Sequence, residues 1–252
     1  MTPRDRTLTD RLAWAVASAA LGAQVVTSVA RGIQPVLQLN AEFPDRVRFI
    51  AYAVMLVAVA GLHRHHPFPR IGPANLVTGT RALLVALLAG VALDSTGGVG
   101  GWWVVGTATV AASLDLADGW LARRTGLSST FGARFDMETD ALLILVLSTL
   151  VWRHGLTGPW VLASGLMRYA FVAAALVLPW MHRALFPSRR RQAVCVVQIA
   201  ALIAALAPVT PPPAAIVLAA GSLALLTWSF WVDVAWLARA REGGVVTPGG
   251  EI

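Results

Sequence analysis

Eight apolar runs divide the chain, near residues 12–30, 47–62, 76–93, 102–122, 135–151, 159–181, 192–207 and 213–237. Most have the length an α-helix needs to cross a hydrocarbon core of about 30 Å. In lipid every backbone N–H and C=O must be satisfied within the protein, so repeated runs of this kind restrict the chain to a helical bundle. The composition agrees. Charged residues make up 13% of the chain, where a soluble domain has about 25%, and the mean hydropathy is +0.67. The expected fold is all-α, a polytopic integral membrane bundle, with Gly- and Pro-rich loops at "DSTGGVGG" (94–101) and "PVTPPP" (208–213).

All twenty basic residues are arginine, and their placement gives a topology. Loops 1–11, 63–75, 121–134, 181–192 and 238–252 hold 14 of them, and loops 31–48, 94–101, 152–158 and 208–213 hold 4. Basic residues concentrate in cytoplasmic loops, so the first set is expected in the cytoplasm, with both termini there and an even number of spans. The same reading accounts for the net charge of +7 without nucleic acid as a partner, because no folded polar surface remains to carry a basic patch. Residues 1–30 have the charge order of a signal peptide, but the apolar run of 19 residues at 12–30 exceeds the usual length of about 7–15, so retention is expected. Residues 1–70 hold two spans and no recognisable chemistry, and are expected to form an accessory region. "HRHH" (63–66) has metal-ligand residue types but is expected to be an interfacial basic loop. The lone Cys195 lies within an apolar run and cannot form an internal disulfide.

Against this background the stretch 113–143 stands out, because four aspartates lie at the ends of two spans. Asp115 and Asp118 are spaced i, i+3, and Asp136 and Asp140 are spaced i, i+4, so each pair lies on one helical face. Antiparallel helices joined by the loop 123–134 would bring the two faces together near the cytoplasmic surface. A charge at the centre of a span costs about 2.5–3.5 kcal/mol, less near the interface, and clustered carboxylates also repel. Shared protons or divalent cations would relieve that repulsion. Carboxylates without His or Cys suit hard cations such as Mg²⁺, Mn²⁺ or Ca²⁺, and two such ions could hold a diphosphate between them. Gly119 and Gly132 leave room for a bulky ligand. Arg123 could bind phosphate oxygens bidentately.

The order Asp115-x2-Asp118-Gly119-x2-Ala122-Arg123-x8-Gly132-x3-Asp136-x3-Asp140 resembles, at every fixed position, the signature of the CDP-alcohol phosphotransferases. The resemblance implies a six-helix transmembrane core within residues 71–240, followed by a cytoplasmic tail at 241–252. It implies that Asp115, Asp118, Asp136 and Asp140 bind two Mg²⁺ or Mn²⁺ ions, with Asp140 as the base. Asp115, Gly119, Ala122, Arg123 and Gly132 look like the positions that contact the cytidine diphosphate group. Upstream, "GPANLVTGTRALL" is similar to the start of the family's first core helix, where Asn75 and Thr78 would reach the nucleotide. Both residues also suit a helix start after Pro73. The implied reaction is direct attack of an alcohol on the β-phosphorus of a CDP-linked donor, with release of CMP. The expected partners are CDP-diacylglycerol, a small polar alcohol, membrane lipid and a second copy of the chain in a homodimer.

Basic residues bind the acceptor's phosphate in relatives that use a phosphorylated alcohol, which makes Arg134, Arg168, Arg189, Arg190 and Arg191 candidates here. As loop residues, Arg189–Arg191 also serve as topology anchors. Arg168 and Arg81 lie within spans, where an ionisable side chain is a functional candidate by default, although Arg81 could simply pair with an aspartate. Ala141 stands where several phosphate-accepting relatives have Lys or Arg, and Tyr169 follows Arg168 where glycerol phosphate users often have an acidic residue. Inositol phosphate, serine and other alcohols therefore stay open. So does transfer from a soluble CDP-alcohol to diacylglycerol. A cation or proton transporter would spread its acidic residues through the membrane and show repeats. These aspartates cluster near one face, no repeat is visible, and the intact signature argues against an inactive relative.

Overall fold

The computed structural model describes residues 3–65, 73–95, 101–125, 130–182 and 188–242, with side chains described for 13–60, 75–95, 101–115, 131–181 and 188–239. These residues form eight α-helices and no strand: α1 (Pro3–Ile33), α2 (Phe43–His65), α3 (Pro73–Ala92), α4 (Trp102–Thr125), α5 (Thr130–Arg153), α6 (Ala163–Val177), α7 (Arg189–Leu206) and α8 (Pro212–Glu242). Each apolar run of the sequence contains one of these helices, although the run 159–181 is only partly α-helical. The helices carrying the aspartate pairs extend into the expected loop 123–134, α4 continuing to Thr125 and α5 beginning at Thr130.

Local chemistry explains several ends. Gly155 has φ +68°, its N–H bonds to Trp152 O at 2.9 Å, and Leu156 N–H bonds to Val151 O at 3.2 Å. This paired reversal ends α5, and glycine occupies its left-handed position at little steric cost. The expected run 159–181 is interrupted. α6 stops at Val177, Leu178 is extended at φ −111°, ψ 94°, and a short 3-10 turn covers Pro179–His182. The ring of Pro179 disfavours a helical conformation at the residue before it. In contrast, the prolines at 212 and 213 fall in the first turn of α8, where the missing N–H has no intrahelical partner to lose.

α3 is central, packed against α1, α2, α4 and α5, while α7 packs on α4, α5 and α8. Val85 and Leu88 of α3, Val104 of α4, Leu143 and Leu147 of α5 and Leu202 of α7 are fully buried in this core. The outside of the bundle is also apolar: Trp14, Leu56, Leu176 and Trp231 are each at least 70% exposed. That surface suits lipid. Among the described residues, four segments, Ala13–Ile33, Asn75–Ala92, Pro159–Val177 and Pro212–Arg239, are long and apolar enough to cross a membrane by length and composition. α4, α5 and α7 carry polar groups that they turn into the bundle, such as Asp115, Asp140 and the fully buried Gln198.

Described residues of the four arginine-poor loops meet at one end of the bundle. Asp94, following α3, accepts from Asn40 N at 3.2 Å and from Arg46 Nη1 at 3.4 Å, and its carbonyl accepts from Arg153 Nη2 at 2.8 Å. Gly101 approaches Pro208 in the same region. The first hairpin is therefore tied to the core at that end, and its packing is close further along. A Cβ on Gly90 of α3 would stand 2.4 Å from Val47 Cγ2 of α2. Gly90→Ala should destabilise the protein by about 1–3 kcal/mol, since the stiff valine has little room to turn. Thermal unfolding in detergent checks this, and Val47→Ala in the same chain should recover part of the loss.

Candidate active site

Three helices bring their polar groups together at the arginine-rich end. α4 contributes Asp115, and α5 contributes Asp136 and Asp140, one turn apart as their spacing requires. One oxygen from each lies within 4.8 Å of the others. Ala108 and Ala111 of α4, both fully buried, let α3 approach closely. From α3, Arg81 enters the middle of the group with 0% of its side chain exposed. Its Nε donates to Ala111 O at 3.1 Å, Nη1 donates to Oδ1 of Asp115 at 2.8 Å and to Oδ1 of Asp136, and Nη2 donates to Oδ1 of Asp140.

Desolvating an ion costs several kcal/mol, and the surrounding carboxylates offset that cost for Arg81. On the other side of Asp140, Cys195 Sγ of α7 lies 3.7 Å from Oδ2, within reach of a weak thiol hydrogen bond. The carboxylates become less exposed from Asp136 (36%) through Asp115 (26%) to Asp140 (19%), so the site opens toward Asp136 and closes behind Asp140. Carboxylate oxygens at this separation fit a hard divalent cation. Two members were not assigned to this site from sequence. Arg81 was legible as an ionisable residue within a span that could pair with an aspartate, and it pairs with three; Cys195 gave no signal beyond being the one thiol in an apolar helix.

The other expected site residues are distributed as follows. Thr78 is buried on α3, and Gly132 is partly buried on α5, one turn before Asp136. Asn75 is partly buried at a cavity of about 190 Å³ that Phe131, Phe135, α1 and α2 also line. Asp118, Gly119, Ala122 and Arg123 continue α4 beyond Asp115, and their side chains lie outside the described residues, as do those of "HRHH".

Arg134 and Arg189 are exposed. Arg168 donates to Glu138, a residue about 200° around α5 from both Asp136 and Asp140. Arg190 donates to Ser229 Oγ at 2.9 Å, to Ser229 O and to Asp233, and stacks 5.6 Å over Trp228. Arg191 reaches Asp233 at 3.6 Å. Arg168, Arg190 and Arg191 thus engage carboxylates other than the three in the cluster.

The fold and this site define an integral membrane helical protein with an acidic centre suited to a divalent metal. The sequence profile of the CDP-alcohol phosphatidyltransferases matches residues 72–237, from the start of α3 almost to the end of α8, and the chain belongs to that family. Its chemistry is transfer of a phosphatidyl group in reactions of CDP-alcohols. α1 and α2 lie outside the match. No curated protein and no solved structure matches the chain.

Proposed function

We propose that the protein transfers the phosphatidyl group of CDP-diacylglycerol to a small polar alcohol and releases CMP. The observation that carries this reading is the convergence of Asp115, Asp136 and Asp140 from two helices within the family's matched region. These three, with Asp118 on α4, would hold Mg²⁺ or Mn²⁺, two ions by resemblance to the family. Such ions supply charge neutralisation at the diphosphate and the departing phosphate.

Asp140 accepts the proton of the acceptor hydroxyl. The hydroxyl oxygen forms its bond to the β-phosphorus, and CMP leaves with the electron pair of the broken P–O bond. Asn75, Thr78, Gly119, Ala122, Arg123 and Gly132 hold the nucleotide. For a phosphorylated acceptor, the exposed Arg134 and Arg189 are the most accessible of the five arginines. Arg168, Arg190 and Arg191 would share their existing carboxylate partners with it. The site faces the cytoplasm, an orientation supported by the arginine distribution and by the gathering of the four arginine-poor loops at the opposite end. Family resemblance adds a homodimer to this reading.

The test is CMP release by purified protein with CDP-diacylglycerol, Mg²⁺ or Mn²⁺, and a panel of alcohols that includes serine, glycerol phosphate and inositol phosphate. Release should require metal and one acceptor, and a chelator should abolish it. CMP formed only from a soluble CDP-alcohol and diacylglycerol would exchange the roles of lipid and alcohol. A folded protein that binds no cytidine nucleotide would overturn the reading.

A further inference from the structure

We propose that Arg81 is a built-in counter-cation of the carboxylate site: a positioning residue that holds Asp115, Asp136 and Asp140 together and shifts the site's preference from metal toward diphosphate. The inference rests on the metal-dependent reading above. Arg81 is fully buried, and Nε anchors it to Ala111 O, so its guanidinium cannot leave for solvent without breaking a backbone contact. From that anchor it reaches Oδ1 of all three aspartates, on two other helices. A planar fork with a permanent charge can bridge the three at once, which a flexible point charge does less well.

The charge count gives the functional consequence. Four aspartates and Arg81 leave three negative charges, and two divalent ions turn that into one positive charge. A dianionic diphosphate is then attracted. Without Arg81 the loaded site would be neutral, and the bare site would carry one more negative charge. Arg81 therefore weakens metal binding and strengthens nucleotide binding. A role confined to packing would move both affinities in the same direction.

The experiment measures Mn²⁺ binding by electron paramagnetic resonance, and CDP-diacylglycerol binding at saturating Mn²⁺, on the full chain in detergent. Arg81→Gln should bind Mn²⁺ at least about tenfold more tightly and the nucleotide at least about tenfold more weakly, as expected for a unit charge a few ångströms away. Its melting temperature should fall in chelator and recover with Mn²⁺ by more than Mn²⁺ raises that of the wild type.

Loss of both affinities together, or a melting loss that Mn²⁺ does not relieve, would overturn the proposal. If Arg81→Gln does not fold, two variants carry the test. Arg81→Lys keeps the charge but not the fork, so its Mn²⁺ affinity should lie closer to the wild type than that of Arg81→Gln. Arg81→Gln with Asp115→Asn restores the charge balance and should fold. An Arg81→Lys protein as damaged as Arg81→Gln, or a double variant that still fails to fold, would sink the idea. Wild-type protein that binds no Mn²⁺ would instead remove the metal-dependent reading beneath it.

Discussion

Asp140→Asn should lower CMP release from CDP-diacylglycerol by about 10²- to 10⁴-fold, the range expected for loss of a positioned base. The substitution keeps the side chain's shape and removes its charge. Arg81 keeps Asp115 and Asp136 as partners, and removing one of three clustered negative charges relieves repulsion. Folding should therefore survive, and the thermal unfolding temperature in chelator should not fall. The rate is measured at increasing Mn²⁺, which separates the two roles of the residue. A defect that persists at saturating Mn²⁺ marks Asp140 as the proton acceptor. Recovery of the rate at high Mn²⁺ would reduce it to a metal ligand, and the base would have to be sought elsewhere.

Gly165→Ala should be among the most damaging single-methyl additions in the bundle. The new Cβ would stand 2.4 Å from Leu145 Cα and 2.7 Å from Leu145 Cβ, so backbone blocks it rather than the tip of a side chain. Relief requires α6 to move away from α5 as a body. Overpacking of this kind costs about 1–3 kcal/mol or more. Replacing a helical glycine by alanine returns about 1 kcal/mol of intrinsic helix propensity, which does not cover that cost. A lowered melting temperature in detergent checks the expectation. Because α6 carries Arg168 and α5 carries Glu138, the same variant should also loosen that ion pair. A variant as stable as the wild type would show that α5 and α6 are not held as closely as the structure places them.

The aspartates were legible because their chemistry and their helix agree. The i, i+3 and i, i+4 spacings place carboxylates on one face whatever the bundle does. The helices were legible for a similar reason, since each apolar run has few alternatives to a helix in lipid. Arg81 was half legible: a charge within a span asks for a partner, but nothing local says that its partners number three. Cys195 was illegible, because a thiol in an apolar helix is ordinary core packing until a carboxylate stands beside it. Arg168 shows the opposite case. Its position invited a ligand, and in the fold its guanidinium meets Glu138, whose place between Asp136 and Asp140 in sequence is a different face of α5 in space.

The sequence by itself determined the helical segments, the even alternation of their loops and the grouping of the aspartates into two faces. All of these depend on residues within a few turns of one another. The tertiary structure decided which faces meet. Arg81 reaches partners 30 to 59 residues away, and Cys195 reaches Asp140 across 55. Such contacts depend on how each helix is rotated and how closely it approaches its neighbours. Those quantities are set by the fit of small residues against large ones, as at Gly90 with Val47 and Gly165 with Leu145. Steric fit between distant segments leaves no period in the sequence to read.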